Sequence, residues 1–199
     1  MDLLIIRHGQ SEADILKVIE GRADFNLTEL GLRQAGLMAD WVSRYININK
    51  IISSPLKRAK QTAERLSAAT GTSVEFDDYL MEWKNGLIAG LTREEADKRF
   101  PLPDKKFPHT TVYEQESMID FRARAEIALS KIINENPSDS KIAVIAHGGI
   151  INMLFRSFIE ISINADISIS SGDTGIHHWK TEGNSRRIIF LNSQVHLEF

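Results

Sequence analysis

The chain has 199 residues, 42% of them hydrophobic, which is enough for one domain with a substantial core. Its formal net charge of −3 excludes a general electrostatic surface for nucleic acid or an anionic membrane, so any attraction for an anion must be local. The absence of cysteine excludes disulfides, thiolate catalysis and cysteine metal sites, and it agrees with a cytoplasmic location. No linker or repeat divides the sequence, and we expect one domain over residues 1–199 that does not enter a membrane.

Strand and helix signals alternate through the first half of the chain. The predicted elements are strands at 3–6, 50–52 and 73–76 and helices at 29–45 and 56–69. Thr28 is a typical N-cap for the first helix. Pro55 suits the start of the second helix, and Gly71 is a typical residue just beyond a helix end.

The second half continues the alternation. A capping box of Thr92 and Glu95 opens a short helix that Pro101 stops, and Ser117 with Asp120 opens a longer one. The remaining predicted elements are a strand at 141–146, a helix at 149–158 and strands at 175–179 and 186–192. Strands separated by helices predict an α/β fold. We expect a single-domain three-layer sandwich with a mostly parallel central sheet, helices on both faces and room for one antiparallel strand near the end.

A long irregular segment interrupts this pattern at residues 100–113. It contains three prolines and shows no helical or strand period. Loops of this length in compact domains are often lids or binding loops. We therefore expect a lid here.

Two histidines and two arginines fall where predicted buried strands end. Arg7, His8 and Gly9 follow the first apolar run, Arg58 follows the second, and His147 follows a later one. Open α/β sheets bind ligands in the crevice outside the carboxyl ends of their parallel strands, so these side chains are expected to converge. Such a set suits a tetrahedral anion, above all phosphate, with one imidazole as the nucleophile.

Each of these side chains has a role that its chemistry favours. Arg7 and Arg58 are predicted to clamp the phosphate, because a guanidinium offers paired hydrogen bonds and keeps its charge. His8 is placed to attack phosphorus, with its other ring nitrogen fixed by a backbone hydrogen bond. His147, if protonated, would be a second cationic donor to the same oxygens.

Backbone and acid groups complete the expected site. Gly9 lets the backbone turn close to the anion, and N–H groups near Gln10 and Ser11 are expected to add donors. A leaving alkoxide must be protonated, and Glu82 beside Trp83 is the candidate acid. Because two arginines and His147 would already neutralise the phosphate, we expect no metal ion and no cofactor.

Six motifs in order give the chain a resemblance to the histidine phosphatase superfamily, also called phosphoglycerate-mutase-like. They are Arg7-His8-Gly9-Gln10-Ser11-Glu12, Leu27-Thr28 with Gly31 and Gln34-Ala35, Ser53-Ser54-Pro55 with Arg58-Ala59 and Gln61-Thr62-Ala63, Leu80-Met81-Glu82 followed by Gly86 and Gly90, Glu116-Ser117, and Ala146-His147-Gly148-Gly149. Each motif is common alone, but the six together cover nearly the whole chain.

The resemblance implies that His8 becomes phosphorylated, that Arg7, Arg58 and His147 form the phosphate pocket, and that Glu82 protonates the leaving oxygen. It also implies substrate contacts for Gly148 in the second histidine motif and for Gly21.

Two positions next to this pocket depart from the family pattern. Glu20-Gly21 stands where the family has Gln-Gly or Thr-Gly lining the pocket. The family often has asparagine touching phosphate where this chain has Asp14, and a carboxylate would repel an anion unless it is protonated, paired or turned away.

Three functions fit these residues: a phosphatase that hydrolyses a phosphohistidine intermediate, a cofactor-dependent phosphoglycerate mutase, and a non-catalytic phospho-ligand binder. The mutase branch resembles chains with Glu-Arg-x-Tyr-Gly after the acid and a downstream Arg-Arg pair. Here Trp83-Lys84-Asn85-Gly86 follows the acid, and residues 91–121 contain no Arg-Arg pair. We therefore predict a phosphatase acting on a small phosphorylated metabolite, and leave a homodimer open.

Overall fold

Six strands and six helices form within residues 1–198, which are the residues that this computed structural model describes. The strands are β1 (Asp2–Arg7), β2 (Lys50–Ser53), β3 (Val74–Phe76), β4 (Lys141–Ala146), β5 (Ile176–Glu182) and β6 (Ser185–Ser193). The helices are α1 (Glu12–Leu16), α2 (Glu29–Tyr45), α3 (Lys57–Thr70), α4 (Arg93–Arg99), α5 (Met118–Asn134) and α6 (Gly148–Phe158). Short 3₁₀ turns lie at Asp78–Leu80, Gly86–Ile88 and Val195–Leu197.

The strands form one sheet in the order β3-β2-β4-β1-β5-β6. The first four are parallel to one another, β5 runs antiparallel to β1, and β6 runs antiparallel to β5. The predicted α/β class, the mostly parallel sheet and the antiparallel addition near the end are confirmed. The carboxyl ends of β2, β4 and β1, three neighbours, therefore meet at one edge.

Side chains of β1 alternate between two hydrophobic clusters, one on each face of the sheet. Leu3 and Ile5 belong to the cluster formed with α5 and α6, whereas Leu4 and Ile6 belong to the cluster formed with α2 and α3. All four are at most 1% exposed. A strand buried on both faces is apolar throughout, which is why its sequence is a continuous run. The three-layer sandwich is confirmed.

Helix α1 is the element that the sequence patterns missed. It has only five residues, too few to show a helical period. Its signal was a capping box, in which Asp14 Oδ2 accepts a hydrogen bond from Ser11 N at 2.8 Å. The helix ends at Lys17, whose backbone is left-handed with φ 54°. None of the helices within residues 1–198 is long and apolar enough to cross a membrane.

The irregular segment at 100–113 forms neither helix nor strand, as predicted. It packs partly on itself, because the Phe100 and Tyr113 rings meet edge to face at 5.1 Å and the Tyr113 hydroxyl donates to Pro101 O at 2.8 Å. Phe107 stacks on His109 and is 59% exposed. Whether the segment closes over a substrate stays a prediction.

Candidate active site

The carboxyl edge of the sheet brings the two predicted histidines together. His8 follows β1 and His147 follows β4, and their ring centroids lie 5.0 Å apart. Arg58, in the first turn of α3, is fully buried and its Nε lies 3.2 Å from His8 Nε2. Parallel neighbours end at the same edge, so residues more than a hundred positions apart in sequence become one site.

The His8 ring is fixed as one neutral tautomer. Its Nδ1 donates to the Gly9 carbonyl at 2.7 Å, and Nε2 accepts from Arg58 Nε. The pKa of His8 lies well below its usual range because the ring is buried and because Arg58 and Arg7 repel a proton. An imidazole is nucleophilic in this form, with Nε2 unprotonated.

His147 also lies neutral in the site. Its Nε2 is 2.8 Å from Ser54 Oγ, and Nδ1 is buried without a hydrogen-bond partner in the part of the chain that the structure describes. Burial, followed by the charge of Arg58, holds the pKa of His147 well below its usual range. If the Ser54 hydroxyl donates to Nε2, Nδ1 carries the hydrogen and is a free donor. Ser54 belongs to one of the six family motifs, but no pattern in the sequence predicted that it would contact His147.

Backbone carbonyls hold the guanidinium of Arg58. Its Nη2 donates to Gly21 O at 2.8 Å and Nη1 donates to Ala23 O at 3.1 Å. Gly21 has φ +52°, and a Cβ there would lie 2.5 Å from Asn85 Nδ2. Gly21 therefore positions Arg58 in this structure.

Arg7 is held on one side and open on the other. Its Nη1 donates to Ser171 O at 2.7 Å, and Nη2 lies 3.5 Å from Asp173 Oδ1. Its Nε is buried and has no hydrogen-bond partner among residues 1–198. Leaving a buried charged donor unpaired is costly, so Arg7 Nε and His147 Nδ1 are two unsatisfied nitrogens that an anion could satisfy.

The donor role expected for Gln10 and Ser11 is not supported by this geometry. Gln10 N donates to Gln34 Oε1 at 2.9 Å, and Ser11 N donates to the Asp14 carboxylate at 2.8 Å. Both N–H groups are therefore already occupied by side-chain acceptors. The same contact explains how the chain tolerates Asp14 near the pocket, because its carboxylate is turned to cap α1.

The carboxylate of Glu82 lies against the N-terminus of α6. Its oxygens accept hydrogen bonds from Gly149 N at 2.8 Å, Ile150 N at 3.1 Å and Trp83 N at 2.8 Å. These N–H groups fix the position of the Glu82 carboxyl group at the helix N-terminus. A Cβ on Gly149 would lie 2.3 Å from Glu82 Oε1, so this close approach requires glycine.

Gly149 is thus a functional glycine that the sequence analysis did not predict, since it assigned a substrate contact to Gly148 instead. A Cβ on Gly148 would meet no atom within 4 Å among the described residues. The adjacent pair of glycines was the feature of the sequence that could have indicated this close approach. The substrate contact predicted for Gly148 stays a prediction.

Two arginines clamp the backbone of Glu82, and residue patterns indicated neither. Arg22 Nε and Arg124 Nη2 both donate to the Glu82 carbonyl, at 3.2 and 2.9 Å. Arg124 also forms a paired salt bridge with Glu116, Nε to Oε2 at 3.0 Å and Nη2 to Oε1 at 2.8 Å. This network fixes the segment that carries the candidate acid.

Comparison with known proteins decides the family. A model of the histidine phosphatase superfamily (branch 1) matches residues 3–194. The chain belongs to this superfamily. The resemblance drawn from six motifs is therefore confirmed, and so is the predicted phosphatase class.

Relatives of this histidine phosphatase differ in the activity for which they are named. A Hydrogenobacter thermophilus protein named for phosphoserine phosphatase activity is 30% identical over 98% of this chain and 96% of its own length. A Yersinia pestis protein named for phosphoglycerate mutase activity is 32% identical over 83% of this chain and 78% of its own. A mycobacterial glucosyl-3-phosphoglycerate phosphatase superimposes with a TM-score of 0.82 at 25% identity, covering 96% of this chain and 98% of that one.

Proposed function

We propose that the protein hydrolyses phosphomonoesters of small metabolites through a phosphohistidine at His8. The observation that carries the proposal is the state of that ring: Nδ1 is bound to a carbonyl and Nε2 is unprotonated beside Arg58. In the first step Nε2 attacks phosphorus, the P–O ester bond breaks, and the leaving oxygen takes a proton. In the second step water attacks phosphorus and gives a proton back to Glu82, the P–N bond breaks, and inorganic phosphate leaves.

Charge on the phosphoryl oxygens would be stabilised by donors that already lie at the site. Arg58 is buried within hydrogen-bond distance of the attacking atom, and Arg7 Nε and His147 Nδ1 have no partner within residues 1–198. Preorganised donors of this kind supply most of the catalysis in phosphoryl transfer. These donors are proposed to act without a metal ion.

Glu82 is the proposed proton donor to the leaving oxygen, and Gly149 gives the means to test it. The variant Gly149→Ala should push the Glu82 side chain away, because the new Cβ would lie 2.3 Å from Oε1. We expect turnover of an alkyl phosphate to fall by about 100-fold, the lower range for loss of a general acid. Turnover of p-nitrophenyl phosphate should fall far less, because p-nitrophenolate leaves without a proton.

Gly36→Ala in α2 is the matched control, since a Cβ there would meet no atom within 4 Å among the described residues. It should leave both rates unchanged. Equal losses for the two substrates in Gly149→Ala would contradict the acid role of Glu82.

The residue after the acid, Trp83, lines two cavities that would receive the leaving group. A space of about 320 Å³ is lined by the rings of Trp83 and Phe100, by the two cations Arg93 and Lys106, and by one acidic residue, Asp97. A second space of about 240 Å³ shares Trp83 and Lys106 and adds Phe107. Such a lining favours a substrate with apolar surface and a second negative charge. Phosphoserine and glucosyl-3-phosphoglycerate, the substrates in relatives' names, both carry a carboxylate that these cations would bind.

A screen of phosphomonoesters in buffer containing EDTA tests the proposed function. We expect metal-independent release of phosphate, with carboxylate-bearing esters preferred. Interconversion of 3- and 2-phosphoglycerate should stay minor even with bisphosphoglycerate as primer, because Trp83 occupies the place after the acid. Efficient primed interconversion would instead favour the mutase alternative, and activity restored only by added metal would contradict the mechanism.

Truncation of the cavity lining tests the substrate class. Trp83→Ala should change the order of preference among esters, since its ring lines both spaces. An unchanged order of preference would contradict the role of the cavity but not the proposed hydrolysis.

The homodimer and the cytoplasmic location stay predictions.

A further inference from the structure

A carboxylate lies inside the phosphate site, where an anion must bind. Glu20 Oε2 is 3.1 Å from Arg58 Nε and 3.8 Å from His8 Nε2, the attacking atom. A phosphorus atom in position for attack is roughly 3–3.5 Å from its nucleophile, so its oxygens would come directly against this carboxylate. Glu20 is therefore in the path of the reaction, although the sequence analysis assigned its side chain no chemical role.

Both clamp arginines face carboxylates in the same way. Arg58 faces Glu20, and Arg7 lies near Asp173 at 3.5 Å and Asp14 at 4.0 Å. The positive charge that should attract phosphate is thus largely balanced within the protein. A phosphate dianion placed beside an ionised Glu20 would meet like charge at short range, which is strongly unfavourable in a buried site.

Protonation would remove this conflict and supply a donor. Glu20 Oε1 is buried and, within the described residues, has no hydrogen-bond partner. A neutral carboxylic acid has one O–H, and a phosphoryl oxygen is a strong acceptor for it. The side chain is 18% exposed, so a proton can reach it from solvent.

We infer that Glu20 is a further catalytic group, which in its protonated form donates a hydrogen bond to a phosphoryl oxygen beside Arg58 and in its ionised form takes the place of that oxygen. This inference rests on the proposed function. Phosphate then binds together with one proton, which Glu20 takes from solvent and returns when phosphate leaves. No bond to phosphorus is made or broken in this step.

The surroundings of Glu20 favour such proton uptake. Burial raises the pKa of its carboxyl, and the nearby Asp14 raises it further, whereas Arg58, the Ser11 hydroxyl and Arg7 oppose the rise. His8, the remaining titratable group in contact, is neutral because its own pKa is lowered. The protonated form is therefore lost as pH rises through the raised pKa, and phosphate binding should weaken with it.

Calorimetric titration with inorganic phosphate tests the inference in the wild type and in Glu20→Gln. The amide keeps a donor but cannot ionise, and the titration of phosphate itself is common to both proteins. We expect similar dissociation constants at pH values below the Glu20 pKa and a ratio that widens by about tenfold per pH unit above it, with the variant tighter. Superimposable pH profiles would overturn the inference.

Two further variants separate donation from simple repulsion. Glu20→Ala loses the charge and the donor together, so at any one pH it should bind phosphate roughly tenfold more weakly than Glu20→Gln, the value of one charge-assisted hydrogen bond. Equal affinities of Ala and Gln variants would overturn the donor role. Glu75→Gln, an exposed carboxylate on β3 paired with Lys50, should match the wild type at every pH. A wild type that bound no phosphate at any pH would contradict the proposed function itself.

Discussion

Replacing His8 by alanine should reduce turnover of p-nitrophenyl phosphate by at least about 10³-fold, the scale expected when a nucleophile is lost. The ring is 1% exposed and held by Gly9 O, with its reactive nitrogen beside Arg58. No other imidazole has this geometry among residues 1–198, because the Nε2 of His147 is bound to Ser54. Steady-state kinetics on the purified variant measures the loss.

The same variant should still bind inorganic phosphate, since Arg7, Arg58 and His147 remain. His178→Ala is the control, because His178 pairs with Asp2 at the far end of β1 and should leave turnover unchanged. An His8→Ala protein with circular dichroism and turnover like those of the wild type would contradict the nucleophile assignment.

Replacing Arg58 by methionine should affect both catalysis and folding. Catalysis loses the buried cation beside the attacking nitrogen, and an arginine at the transferred phosphoryl group is worth about 10³-fold or more. Folding loses the partner of Glu20, and the Gly21 and Ala23 carbonyls lose their donor. Removing one member of a buried ion pair costs roughly 3–5 kcal/mol, so urea denaturation should show a much lower free energy of unfolding.

Two further proteins make this result specific. Arg65→Met lies on the exposed face of the same helix and should change neither property. Adding Glu20→Gln to Arg58→Met should recover part of the lost stability, because no unpaired carboxylate then remains. A fully stable Arg58→Met single variant would show that the ion pair of Arg58 with Glu20 does not stabilise the fold.

Much of the fold could be predicted because its signals are local. The helix over Glu29–Tyr45 has its N-cap at Thr28, and the strand over Lys141–Ala146 is a continuous apolar run, so both were predicted with the bounds that form. Helix α1 was missed because five residues cannot show a period. The order of strands depends on contacts between distant segments, such as β4 between β2 and β1, and no local pattern specifies them.

The residues of the site likewise fall into those that local patterns predicted and those that they did not. Strand ends predicted that His8, His147 and Arg58 would meet, because the rule needs only the position of each residue after a strand. The clamp of Arg124 on Glu82 depends on how α5 packs beside a loop about forty positions away, which the sequence does not encode locally. The role of Glu20 was not predicted for a related reason. It depends on the distance of its carboxylate from Arg58 and not on the neighbouring residues in the sequence.

The most direct test of the phosphohistidine mechanism is rapid quench of the wild-type protein with substrate labelled in the phosphoryl group. We expect label on the protein that is lost in acid and retained in base, the behaviour of a phosphoramidate, and we expect it on the peptide that contains His8. Label that is lost in base, which marks an acyl phosphate, or label on the peptide that contains His147, would contradict the account.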